Sequence, residues 1–196
     1  MRLEEIAESV RKCRKCPLHA SRKNAVPGEG NERARIMFVG EAPGRSEDEV
    51  GRPFVGAAGR LLEELLTSIG LRRQEVFITN VVKCRPPNNR DPRQEEIEAC
   101  LPYLIEQVSA VDPEILVALG RHSAGVLLGR VGGVSIMRVR GRVHEVEVFG
   151  RPRKVMPTLH PAAALYNPGL RSLLEEDFEK LRGLIKSRIS GLEDWI

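Results

Sequence analysis

Short apolar runs, each ended by a glycine or a polar residue, alternate along this chain with longer stretches whose apolar positions recur every three or four residues. The runs at 36–39, 76–82, 115–119 and 155–159 are too short for helices. They are apolar at successive positions, as strands covered on both faces must be. Residues 3–12, 57–69, 93–109 and 170–188 carry the helical period, and Gly70 ends the second of these. Residues 86–89 (PPNN) read as a loop, and a further helix follows Gly120. The alternating stretch 136–149 (IMRVRGRVHEVEVF) is expected to fold as a hairpin around Gly141. Together these elements predict an α/β fold: a single domain over residues 1–196, built as a three-layer α/β/α sandwich with a four-stranded, mainly parallel central sheet.

Parallel sheets bind ligands at the carboxyl ends of their strands. The chemically interesting residues fall at those ends. Gly40 and Glu41 follow the first strand within GEAPG (40–44), Asn80 comes late in the second, and His160 follows the fourth. An amide in an otherwise apolar strand offers both a donor and an acceptor to a ligand. A neutral imidazole at a strand end can donate to charge that develops during a reaction. Phe54, in the tight loop GRPFVGAAG, suits a stacking platform for a flat ligand.

Composition narrows the class. The chain has 196 residues, 41% of them hydrophobic, and no apolar run long enough to span a bilayer, so an intracellular, cytoplasmic setting without a membrane partner is expected. The net charge of +4 permits a polyanionic partner without requiring one. Arginine outnumbers lysine 24 to 7 and glutamine occurs three times, a bias that fits either a heat-adapted source or a GC-rich genome.

The four cysteines carry more. Cys13 and Cys16 form a C-x2-C pair, and Cys84 and Cys100 lie about seventy residues downstream. One pair held by a local turn and a second delivered by the fold can make a four-thiolate metal centre. Spacing leaves open whether that centre is iron–sulfur or zinc.

With these motifs in view, the chain resembles the family 4 uracil-DNA glycosylases, the thermostable iron–sulfur branch of that superfamily. The residues that carry the resemblance are the C-x2-C pair, GEAPGRSEDE (40–49), GRPFVGAAGRLL (51–62), ITNVVKCRPPNNRDP (78–92), Cys100 and HPAAALYNP (160–168). The resemblance implies a [4Fe–4S] cluster on all four cysteines and hydrolytic removal of uracil from DNA, leaving an abasic site. It implies that Phe54 stacks on the extruded base and that Asn80 reads O4 and N3–H. It further implies that His160 donates to O2 of the leaving anion and that Glu47 blocks the methyl group of thymine. Gly40, Glu41 and Ala42 would line the substrate, with the backbone near Glu41 and Ala42 adding donors. Better-known relatives outside this branch carry an aspartate where Ala42 stands, so Glu41 becomes the candidate for activating water. Two alternatives are a glycosylase for a wider set of deaminated bases and a non-catalytic iron–sulfur module that binds DNA. Asn80 and His160 argue against the latter.

Leu165, with Tyr166 second, is the expected wedge between base pairs. Lys83, Arg85, Arg90 and Arg171 flank the motifs as candidate phosphate contacts in single- or double-stranded DNA, and a nucleoid-associated monomer is expected. The tail 189–196 (ISGLEDWI) has the aliphatic and aromatic spacing of a sliding-clamp box, but with Ile189 where a glutamine is usual.

Overall fold

The computed structural model describes residues 2–130 and 134–189. Its elements in order are helices α1 (Leu3–Lys12) and α2 (Leu18–Ser21), strands β1 (Glu29–Gly30) and β2 (Ile36–Gly40), and helices α3 (Arg45–Val50) and α4 (Ala57–Ser68). Strand β3 (Phe77–Asn80), helix α5 (Gln94–Val111), strand β4 (Ile115–Leu119) and helices α6 (Arg121–Leu127) and α7 (Ile136–Val139) follow. Strands β5 (His144–Val148) and β6 (Arg151–Thr158) and helices α8 (Pro161–Tyr166) and α9 (Arg171–Ile189) complete the chain.

The sheet has six strands in the order β1-β3-β2-β4-β6-β5. The four expected core strands are its parallel centre. The expectation of four strands omitted the two antiparallel edges, β1 and β5. Side chains alternate across the sheet as the pleat requires. Met37 and Val39 of β2 with Leu116 and Ala118 of β4 face one core, completed by α1, α5 and α6. Ile36 and Phe38 with Ile115, Val117 and Leu119 face the other, completed by α4, α8 and α9. Helices therefore cover both faces, as the three-layer reading requires.

The hairpin expected around Gly141 is not formed there. Residues 136–139 make one helical turn, and the hairpin joins β5 to β6 through Phe149 and Gly150, both at positive φ (51° and 81°). Two consecutive left-handed residues match the twist of the flanking strands. Gly141 has a different task. It too is left-handed, and a β-carbon there would lie 2.2 Å from Asp177 Oδ1.

Asp177 is the buried acceptor that ties α9 to the sheet. It accepts from Thr158 Oγ1 at 2.6 Å and from Arg140 Nε and Nη2 at 3.0 and 2.8 Å. Burial pushes its carboxyl upward, and Thr158 and Arg140 oppose the shift.

The residues of the expected clamp box beyond Ile189 lie outside the described residues. Among those described, no helix is long and apolar enough to cross a membrane. Replacing Asp177 with alanine would leave the largely covered Arg140 with only the longer carboxylate contact to Glu176, at 3.6 Å, and would remove the acceptor of Thr158. The expected loss is about 3–5 kcal/mol, read as a lower guanidinium midpoint with unchanged slope.

Candidate active site and thiolate centre

β2 and β4 are neighbours, yet the helices that follow them lie on opposite faces, α4 on one and α6 on the other. Such a reversal opens a crevice at the carboxyl ends of the strands. A cleft of about 280 Å³ lies there, lined by Glu41, Ala42, Glu47, Phe54, Asn80 and His160 among others. A more apolar groove of about 340 Å³ sits at the opposite, amino ends, with Ile36 and Ile115 in its wall. It holds none of the polar groups that the sequence singled out.

The floor of the cleft is set by strand register. Gly40 is paired with Asn80 at the end of the β2–β3 ladder. A β-carbon on Gly40 would lie 2.3 Å from Asn80 Oδ1 and 2.8 Å from the Phe54 ring, so only glycine keeps the space open. Asn80 is 2% exposed, and its Oδ1 is buried without a hydrogen-bond partner. A buried acceptor with no partner is costly, which suits an atom reserved for a ligand.

Phe54 is buried and left-handed at φ 50°, a conformation a bulky residue adopts only when its surroundings impose it. Arg73 donates to the carbonyls of Pro53 and Phe54, and Gly59 packs so closely that a β-carbon would overlap Phe54 O. The Phe54 ring stacks on His160 with centroids 5.5 Å apart.

His160 caps α8, and its Nδ1 accepts from Ala162 N at 3.2 Å. That bond leaves Nε2 to carry the proton of the neutral ring. Burial pushes its pKa down to about 4, against the pull of Glu47. Glu47 itself is clamped. Its carboxylate accepts from Gly44 N at 3.1 Å and from Val55 N and Gly56 N at 2.9 Å, which joins the two loops that wall the cleft.

Glu41 has companions that the sequence reading missed. His122 Nε2 lies 3.7 Å from Glu41 Oε2 and 3.2 Å from Asp91 Oδ2. Burial raises the Glu41 carboxyl, while His122 opposes that rise. The signal was present in the sequence. His122 follows the third core strand, two residues after Gly120, at the same sheet edge as Gly40, Asn80 and His160. Asn89 also lines the cleft.

The basic candidates separate. Arg90 borders the cleft but is already held by both oxygens of Glu96, at 2.8 and 2.6 Å. Arg85 donates to Asn89, and Arg171 is paired with Glu64 and Glu175; neither lines the cleft. Lys83 corrects the sequence reading outright. It is 1% exposed, so its ammonium does not reach a phosphate in this structure. Burial pushes its pKa down to about 8, against the effect of Cys100 and Cys84. Leu165 and Tyr166 stand out from α8, 48% and 91% exposed, and Tyr166 reaches the cleft rim.

The four cysteines converge. Cys13, Cys16, Cys84 and Cys100 line one small cavity with Arg22, Lys83 and Tyr103. All four are free thiols. Arg22 Nη1 donates to Cys84 Sγ at 2.9 Å, Lys83 N to Cys100 Sγ at 3.2 Å, and Lys15 N to Cys13 Sγ at 3.5 Å. Burial pushes the Cys100 thiol up to about 11, and those of Cys84 and Cys16 upward. Donors aimed at sulfur in a site that disfavours bare thiolates fit a bound metal core, whose positive charge holds the sulfurs deprotonated.

Comparison with known proteins agrees with this geometry. The uracil DNA glycosylase superfamily model matches residues 27–182. The type-4 uracil-DNA glycosylase of Saccharolobus solfataricus is 53% identical over 99% of this chain and 91% of its own. That of Archaeoglobus fulgidus is 52% identical over 99% and 98%, and that of Thermotoga maritima 50% identical over 94% and 95%. A sheet with its cleft at a strand-order reversal, four convergent thiols, and this similarity along nearly the whole length place the chain in one family: it belongs to the uracil DNA glycosylase superfamily, among the type-4 members.

Proposed function

We propose that this protein removes uracil from DNA by rotating the nucleotide out of the stack and hydrolysing its N-glycosidic bond, leaving an abasic site for base excision repair. The observation that carries the reading is the buried, unpartnered Oδ1 of Asn80 in a cleft with room for a small flat ring. Its type-4 relatives bear the name of that activity.

In this reading Oδ1 accepts from N3–H and the amide nitrogen donates to O4. Cytosine lacks that N3 proton and carries an amino group at position 4, so it would leave both buried groups mismatched. Phe54 stacks on the base, and its ring is in turn packed against His160. The Nε2–H of neutral His160 donates to O2, where negative charge grows as the bond breaks. A ring of pKa about 4 stays neutral at working pH, so it donates a hydrogen bond without releasing a proton. Glu47, fixed by three backbone amides, is the rigid wall against the thymine methyl. Glu41 orients and deprotonates the attacking water. Leu165 or Tyr166 fills the gap left in the stack.

Cys13, Cys16, Cys84 and Cys100 would hold a [4Fe–4S] cluster that, when bound, ties the N-terminal segment to the arm between β3 and α5. Ligation by reduced thiolates and a DNA substrate fit an intracellular setting.

A labelled uracil-containing oligonucleotide, treated with enzyme and then alkali, should be cut. His160→Ala should lose roughly 10²–10³ in turnover, the usual cost of one lost anion donor, and a parental rate would remove that role. Gly40→Ala should keep the folded spectrum but lose uracil binding in equilibrium dialysis, because its methyl group fills the cleft. For Glu41 the sign follows from its raised pKa. A base must be unprotonated, so activity should fall as pH drops through a value above the ordinary carboxylate range. His160, lowered to about 4, protonates below that limb. Glu41→Gln should slow the reaction and flatten the limb; an unchanged pH–rate profile would give the water to another group.

A further inference from the structure

Among the described residues, Lys83 is the largest charged side chain wholly inside the molecule, and glycosidic chemistry does not use it. Its Nζ donates to Asn80 O at 2.6 Å, to Thr79 Oγ1 at 2.7 Å and to Gln107 Oε1 at 2.7 Å. Three donors meet three acceptors, so the ammonium is fully satisfied. All three acceptors are neutral. The side chains of Cys84 and Cys100 line the same small cavity as Lys83.

Its main chain faces the same centre. Lys83 N donates to Cys100 Sγ at 3.2 Å, and Lys83 O accepts from Val26 N at 2.8 Å. One residue thus grips the thiolate centre with its backbone and the residue that reads the base with its side chain. Gln107 extends the frame by donating to Pro27 O at 2.5 Å, which ties α5 to the loop before β1.

We propose that Lys83 is a positioning residue that fixes Asn80 from the thiolate centre, so that this centre sets the shape of the base-reading pocket. The proposal rests on the reading of Asn80 as the uracil contact. On one side Asn80 is held by its pairing with Gly40. On the other, its carbonyl is held by Lys83. Without that second hold, the peptide after Asn80 is anchored only through Val81 N on Gly40 O at 2.9 Å, and Oδ1 shifts from the position that meets N3–H.

The test compares purified holoprotein with Lys83→Met, Gln107→Leu and Asn80→Ala. Three quantities are measured: free-uracil Kd by equilibrium dialysis, Kd for an undamaged duplex, and iron per chain with its visible absorption. Lys83→Met should weaken uracil binding about tenfold, with undamaged-duplex affinity unchanged within twofold and iron content retained. A general loss of structure would move all three together. Gln107→Leu, which keeps the lysine but removes one anchor, should weaken uracil about threefold in the same selective way. It decides the matter should Lys83→Met not yield folded holoprotein. Uracil affinity within twofold of the parent in these variants, with Asn80→Ala having lost it, overturns the role of Lys83. Retained uracil affinity in Asn80→Ala overturns the base-reading assignment beneath it.

Discussion

A missing β-carbon organises this molecule. Gly40 is paired with Asn80 at the end of a parallel ladder, and the atom that any other residue would place between them is the space a ligand needs. The pocket is thus a consequence of strand register. Shifting β3 by one residue would turn Asn80 to the other face of the sheet. Much of the surrounding structure keeps that register and that space. Arg73 and Gly59 hold Phe54 in a conformation it would otherwise avoid, and Glu47 locks the two loops that form the rim.

The polar groups in the cleft differ in how burial treats them. Burial takes the charge off His160, which leaves a neutral donor where an anion is to form. Burial also raises Glu41, but His122 and Asp91 stand beside it at the strand-order reversal, and the imidazole opposes the rise. The cleft therefore holds one neutral donor and one tuned carboxylate. Separating acid and base character by environment is a familiar way for an active site to work near neutral pH.

The thiolate centre and the cleft share an arm. The segment between β3 and α5 carries Cys84 and ends on α5 with Cys100, while Arg90 and Asn89 on the same segment reach the cleft rim. A core bound by the four sulfurs would brace that arm against the N-terminal helix. Arg22 adds to the brace by donating to Cys84 Sγ and to the carbonyls of Arg11 and Cys13. So small a fold has few other means of stiffening a long loop.

The sequence by itself determined the alternation of strands and helices, the four core strands, and the convergence of Gly40, Glu41, Asn80 and His160 at one sheet edge. Local periodicity and chain order decide those features, because a parallel sheet leaves its strand ends nowhere else to go. Motifs in GEAPG and HPAAALYNP carried the family for the same reason: they are contiguous. Only the tertiary structure decided what depends on neighbours distant in sequence. Gly141 and Gly150 look alike in the chain, and the partner strand chose the second as the turn. Lys83 reads as a surface base between two motifs, until β3 and α5 close over it. His122 and Asp91 are unremarkable residues 31 positions apart until the β2–β4 pairing brings His122, and the arm between β3 and α5 brings Asp91, to Glu41. Burial and long-range pairing are properties of the folded chain, and they set both the charge and the reach of every side chain that the sequence could only name.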